Sequence, residues 1–586
     1  MTLFKSILFF FLIVSMNRVL SSPPDDIVKC TSGNTHCTVT NAYGLFPDRS
    51  TCRASQVLYP TTEQEIISMV ASASKSNTKV KAVTRYSHSV PKLACSGGQD
   101  GILISTNNLN RTVKVDVESR RMTVESGVVL KDLISEAAKN GLTLPYTPYW
   151  WGITVGGLLA TGAHGSSLWQ KGSAVHEYVV SMRIVTPATA EEGYAKVRSL
   201  SESDEELDAA KVSLGVLGIV SQVTLQLEPM FKRGVTYVSK NDSDLEEQMI
   251  HFGKEHEFGD ITWNPYQKEA LYRADNRVPM EQPGNGFFDF FPFRSTPAEA
   301  LASFRSTEED IEATGDANGR CEAAKFLTGI LKNSAFGLTN NGKRFTGYPV
   351  IGPSNQMQSS GTCLSNHLED GKFTACAWDP ELAHQIFYQT ASSISLSKVP
   401  SFIEDVKKLI ELEPQALCGL EYNGGIIMRY VKASSAYLGK TEDAIDFDIT
   451  YFRSRDPLTP RLFEDFLEEI EQMALFKYGG LPHWGKNRNI AFIEAIKKYP
   501  NADKFLSVKN KYDPQGIFSN EWTDQVLGLK EGMTILKDGC ALEGLCICSE
   551  DRHCAPSKKY FCRPGKVYKE ARVCALEVET NSKDEL

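Results

Sequence analysis

GITVGGLLATGAHGSS, Gly152–Ser167, is the stretch on which the fold turns. It holds five glycines, with Thr161, His164, Ser166 and Ser167 among them. Neighbouring glycines let a backbone approach a ligand closely and aim successive N–H groups at an anion. Threonine and serine hydroxyls add donors. A pyrophosphate suits such a loop; the plain alternative is a tight glycine turn packed against a sheet.

The surroundings of the loop alternate helix and strand. Upstream, TTEQEIISMVASASKSN is an amphipathic helix in which Thr62 and Glu65 have capping-box spacing, and VKAVTR is a strand. VKVDVESRRMTVESGV alternates apolar and polar residues about a polar centre, as a hairpin does, and VVLKDLISEAAKNG is a helix stopped by Gly141. Downstream, EYVVSMRIVTP and VSQVTLQLEP are strands, the second preceded by the glycines of VSLGVLGIV. Residues 53–229 therefore form one α/β or α+β unit. From 230 to 525 the loops lengthen and strands such as DFDITYFRS point to a second unit with an antiparallel sheet.

The ends carry an address. Lys5 followed by the apolar run Ile7–Met16, then Ser21 and Ser22, reads as a secretory signal peptide over 1–22. Lys583-Asp584-Glu585-Leu586 is the retrieval signal of the endoplasmic reticulum. Fourteen cysteines suit that oxidising compartment. Three lie in an N-terminal segment, 23–52, and six in a tail, 526–586, where disulfides are expected with their pairing open and a zinc site is weakly supported. Asn110 and Asn241 head glycosylation sequons. No later run is long enough to span a membrane. A net charge of −9 spread along 586 residues gives no basic footprint for nucleic acid.

Several familiar engines are missing: no Gly-x-Gly-x-x-Gly opening a βαβ unit, no phosphate-binding P-loop, no Gly-x-Ser-x-Gly elbow. What remains is an order of parts: a strand, a His-Ser loop, a hairpin, a helix, TVGGLLATGAHGSS, then LGVLGIV. That order resembles the flavin-binding domain of the vanillyl-alcohol oxidase family. GGLPHWGK (Gly479–Lys486) and KYDPQGIFSNEW (Lys511–Trp522) are similar to the C-terminal signature of its sugar-lactone oxidases, and the resemblance covers about 40 to 525. It implies an α+β fold: a two-part FAD-binding domain, an α+β cap domain with an antiparallel sheet, and here a small disulfide-rich tail.

The resemblance also implies roles. FAD hangs from a histidine of a Gly-His-Ser loop, a place held here by His88 and Ser89, preceded by Arg85, Tyr86 and Ser87 instead of glycines. Gly156, Gly157, Thr161, Gly162, His164, Gly165 and Ser166 lie against the cofactor, with Gly218 and Val220 near its adenine or ribitol end. Read singly, His88 is a turn residue and His164 a core histidine. Alcohol oxidation by a flavin needs a hydride acceptor, a proton acceptor and positive charge beside the alkoxide. Arg429, His483 and Lys486 are the candidates, with Asp448 and Thr450 sharing one strand face. The plain alternatives are a structural ion pair for Arg429 and a cation packed on Trp484 for Lys486. Ile427 stands where the family has glutamate. Pro148 stands where a small residue goes with oxygen reactivity. The implied activity is oxidation of a sugar lactone, preferably L-gulono-1,4-lactone, with oxygen. Two alternatives stay open: a dehydrogenase or alditol oxidase with another acceptor or substrate, and a weakly catalytic flavoprotein whose tail is a binding module.

Overall fold

The computed structural model describes residues 27–41, 44–84, 91–357, 363, 374–376, 385–419 and 425–577. The signal segment, His88, Ser89 and the KDEL terminus lie outside these residues. The fold is α+β, built on three main sheets.

The first sheet starts with the hairpin β1 (Val28–Ser32) and β2 (Thr35–Val39), which continues into β3 (Cys52–Leu58). Residues 27–39 thus join the sheet that runs on into the flavin-binding segment. The helix α1 (Glu63–Ser76) follows, then β4 (Val80–Val83) and β5 (Ile102–Ser105), and β5 runs parallel to both β3 and β4. Thr62 Oγ1 caps α1 by accepting from Glu65 N at 3.2 Å, whereas the Glu65 carboxylate reaches back to Thr61 N. The capping box expected from Thr62 is therefore shared between Thr61 and Thr62.

The second sheet is antiparallel. It begins with the expected hairpin, β6 (Thr112–Asp116) and β7 (Arg121–Glu125), and is completed by β8 (Val179–Pro187), β9 (Ala195–Ser201) and β10 (Ile219–Gln226) in the order β9-β8-β10-β7-β6. Alternate residues of β10 are buried, as its period-two pattern dictates. Ile66, Val70 and Ala73 of α1 pack with Ile104 of the first sheet and with Val185 and Ile219 of the second. Burying each such aliphatic side chain contributes about 1.5–3 kcal/mol.

The third sheet has eight strands: β11 (Lys232–Asn241), β12 (Asp260–Asn264), β13 (Glu269–Val278), β14 (Val350–Pro353), β15 (Gln385–Ser395), β16 (Ile426–Val431), β17 (Ala444–Ser454) and β18 (Leu481–Pro482). Their order is β14-β11-β13-β12-β16-β17-β15-β18, all antiparallel. One face of this sheet, with Ile261, Trp263, Met428, Tyr430, Ile445 and Phe447, is apolar and packs on helices 245–255, 399–412 and 464–472. The opposite face is polar and looks toward the glycine-rich loop. Trp484, Phe492 and Trp522 pack in the core of the second sheet's unit, so the chain returns to that unit after β18.

The tail is stapled by Cys540–Cys546, Cys548–Cys562 and Cys554–Cys574. It lies against the helix Glu464–Gln472, every residue of which is buried. Glu469 accepts the N–H groups of Lys566, Val567 and Tyr568, and Glu468 accepts that of Cys574. These backbone donors and the charged side chains around them let an acidic helix be buried.

Candidate active site

Thr154 caps the short helix Val155–Ala160, and Gly156 N bonds to Ser126 O. A Cβ on Gly156 would press on Ser126 at 3.2 Å, and one on Gly218 would meet Val185 O at 2.4 Å, so neither position takes a side chain unchanged. Gly162 adopts φ +65° to turn the chain out of the helix. The loop then docks on β16. Gly165 N bonds to Ser173 O, Ser167 N to Tyr430 O, and the Ser166 hydroxyl donates to Gly259 O while accepting from Tyr430 N. The hydroxyls of Ser166 and Thr161 are thus held by backbone groups, the latter by Gly157 O. Val220 is half-buried on β10, opposite Ile184.

This docking sets His164 against the polar face of the third sheet. Arg429 on β16 faces Asp446 on β17, and Ile427 faces Asp448, in antiparallel register. Arg429 Nη2 donates to Asp446 Oδ2 at 3.0 Å and to Asp448 Oδ2 at 2.9 Å, and Nη1 reaches His164 O. Lys486 pairs with the same Asp448 carboxylate, which also accepts from Gln389. Thr450 follows on that strand, opposite Gln389. His164 Nε2 lies 3.6 Å from Asp446, and the rings of His164 and His483 are 5.5 Å apart. Lys440 closes the cluster through the carbonyls of Leu481 and Pro482. His164, Lys440, His483 and Trp484 share a cleft of about 330 Å³. Arg429, His483, Lys486 and Asp448 therefore converge with His164. Lys486 is held by Asp448, and the Trp484 N–H bonds to Leu438 O.

Three cations against two carboxylates give the cluster one positive charge in excess. Burial alone would raise the Asp446 carboxyl; His164, Arg429 and Lys440 hold it well below the ordinary range. Burial pushes His164 down to about 3 and His483 well below its ordinary value, so at physiological pH both rings are neutral and Arg429 and Lys440 are the cations that face Asp446. Burial lowers Lys440 to about 8. It also lowers Lys486, against the pull of Asp448. His483 Nδ1 accepts the Gly485 N–H, which leaves its ring proton on Nε2.

Asp446 and Lys440 were not singled out from the sequence. The signal for Asp446 lay in DFDITYF, where it sits two residues before Asp448 on the same strand face. Lys440 gave no local signal, since its place depends on contact with 481–482.

Three family models match the chain: the FAD binding domain over 54–191, D-arabinono-1,4-lactone oxidase over 384–526, and the C-terminal domain of L-gulonolactone oxidase 2-like proteins over 537–576. L-gulonolactone oxidase 2 of Arabidopsis thaliana is 59% identical over 567 residues, covering 96% of each chain. Probable L-gulonolactone oxidase 6 of the same plant is 61% identical over 557 residues, 95% of this chain and 92% of that one. The chain belongs to the L-gulonolactone oxidase family. As a member it is an FAD-dependent oxidoreductase that uses oxygen and acts on a sugar lactone. A more distant relative, L-gulono-1,4-lactone dehydrogenase of Mycobacterium tuberculosis, is 26% identical over 82% of this chain and 98% of its own. A solved cholesterol oxidase shares the fold, with a TM-score of 0.64 at 16% identity over 88% of this chain and all of that one.

The site fits FAD. Ser126 Oγ, beside Gly156, and His164 Nε2 are buried polar atoms with no hydrogen-bond partner among the described residues, and so is Arg429 Nε. Glycines at 156 and 218 keep backbone free for close approach. The glycine-rich loop and His164 are the groups that would hold the cofactor, with Arg429 on the substrate side.

Proposed function

We propose that this protein oxidises the C2 hydroxyl of L-gulono-1,4-lactone with oxygen. The products are hydrogen peroxide and a 2-keto lactone that tautomerises to L-ascorbate. The observation that carries the reading is the buried Arg429–Asp448–Lys486 cluster facing the glycine-rich loop, in a chain 59% identical to an L-gulonolactone oxidase. Bound FAD would supply the hydride acceptor for the carbinol carbon and the path of two electrons to oxygen. The chain's own residues handle the proton and the charge. Lys486, paired with Asp448 and with its ammonium destabilised by burial, is the group placed to exchange the hydroxyl proton. Arg429 stabilises the alkoxide that develops. His483, with its proton on Nε2, donates a hydrogen bond and does not serve as the base. Pro148, buried just upstream of the loop, supports oxygen as the acceptor.

Peroxide formation measured with L-gulono-1,4-lactone, L-galactono-1,4-lactone and alditols tests the assignment. The gulonolactone is expected to give the highest kcat/KM. Turnover with a dye acceptor and none with oxygen would make the protein a dehydrogenase.

The tether belongs to the same proposal. His88→Ala is expected to release the yellow colour into the supernatant on acid precipitation, whereas the wild type keeps it in the pellet. Colour still fixed in the variant would place the bond elsewhere. We further assign the protein to the lumen of the endoplasmic reticulum. The leader-like start and the KDEL motif support this, as do seven disulfides that pair all fourteen cysteines. Both sequon asparagines, Asn110 and Asn241, are exposed.

A further inference from the structure

A second cleft, of about 400 Å³, opens on the polar face of the third sheet beside Arg429. Its walls are aromatic and apolar: Tyr149, Tyr237, Phe288, Phe290 and Ile427. Its polar lining comes from β12 and β13. Asp260 lies directly across the ladder from Arg429, and Thr262 across from Ile427, so the cleft and the Arg429 cluster are neighbours on one surface. Tyr149 joins them: its ring lies under the guanidiniums of both Arg429 and Arg273, and its hydroxyl accepts from Arg273 Nη2 at 2.9 Å.

Arg273 is fully committed. It bonds to Asp260 Oδ2 through Nε and Nη2, to Asp275 through Nη1, and to Phe258 O and Tyr149 through Nη2. Asp275 in turn holds Arg233. This chain of alternating charges fixes the Asp260 carboxylate and occupies only one of its two oxygens. Asp260 is 4% exposed, and both hydrogen bonds it takes from Arg273 fall on Oδ2, leaving Oδ1 on the other side of the carboxylate. Thr262, two residues along on the same strand face, lines the same cleft. A carboxylate oxygen can accept from two adjacent hydroxyls. A hydroxyl beside it and aromatic walls around it suit the C–H and O–H faces of a polyol.

We propose that Asp260, held by Arg273 and aided by Thr262, binds the vicinal diol of the lactone's side chain, C5–C6, and so sets the specificity of this oxidase for six-carbon lactones. The proposal rests on the lactone-oxidase reading above. Arg429 and Lys486 act at the reacting carbon, and Asp260 acts on the far end of the same substrate.

The test compares L-gulono-1,4-lactone with L-threono-1,4-lactone, which has hydroxyls at C2 and C3, there trans to each other, and lacks the side-chain diol. The constant measured is KM, or the inhibition constant for a lactone that binds without being oxidised. Asp260→Asn is expected to raise KM for the gulonolactone about 30-fold, the worth of one hydrogen bond to a charged group. Its kcat and its constant for the threonolactone should change by less than about twofold, because neither draws on the side-chain diol. Thr262→Val disturbs no ion pair and keeps the test open should Asp260→Asn fail to fold. It is expected to raise the gulonolactone KM about fivefold, as loss of a neutral hydrogen bond does, again sparing the threonolactone. Equal changes for both lactones, or no change for the gulonolactone, would overturn the assignment. A wild type whose flavin no lactone reduces would overturn the functional reading itself, and that outcome is seen before any variant is made.

Discussion

Arg429→Lys is expected to lower kcat/KM for lactone oxidation by about 10²–10³-fold, the usual cost of losing one preorganised donor at developing charge. FAD content should stay unchanged. The Arg429 guanidinium forks between Asp446 and Asp448 and also reaches the His164 carbonyl. A lysine keeps the charge and cannot span both carboxylates while facing the substrate. Lysine is the informative replacement because methionine would leave two buried carboxylates short of their cation, at about 3–5 kcal/mol for such a broken pair. Steady-state kinetics beside the flavin absorbance of the purified variant checks the point. Activity within fivefold of wild type would reduce Arg429 to a structural ion pair.

Glu543→Gln is expected to destabilise the protein by about 3–5 kcal/mol, read as a lower urea midpoint. Glu543 belongs to the tail, and its carboxylate serves three partners outside it. Arg49 Nε donates at 2.5 Å, Arg453 Nη2 at 3.2 Å and the Tyr388 hydroxyl at 2.6 Å. Burial would raise this carboxyl, and the two arginines outweigh it and hold it below its ordinary value. The stabilisation is therefore present above the unfolded value of about 4.5 and is lost as the pH falls through the lowered one. Removing the tail after residue 536 would also expose the acidic helix Glu464–Gln472, so soluble, active protein is not expected from that truncation. A tail that were only a binding module would leave turnover intact when deleted, and such a result would contradict the packing described here.

What was legible in the sequence followed from local rules. Glycine spacing marked the loop, period-two alternation marked β10, and Gly141 marked the end of the helix Leu130–Lys139. Arg429, His483 and Lys486 were legible because their motifs are short and contiguous. Long-range pairing hid the rest. EDFLEEIEQ has the composition of a solvated helix, yet it is buried because backbone N–H groups a hundred residues away meet its carboxylates. Asp260 in DITWN carries no local sign of function; the ladder that sets it opposite Arg429 joins strands far apart in the chain. The strand β1–β2 hairpin falls before residue 53 and still continues the first sheet, because strand pairing ignores the change in composition there.

In the proposed function a sugar lactone gives up its C2 hydride at the Arg429–Lys486 cluster. Anaerobic mixing of the purified, FAD-loaded protein with L-gulono-1,4-lactone tests it most directly. The visible flavin band is expected to bleach in a single turnover and to return when oxygen is admitted, with one peroxide and one ascorbate formed per flavin reduced. A flavin that stays oxidised at saturating lactone would contradict it.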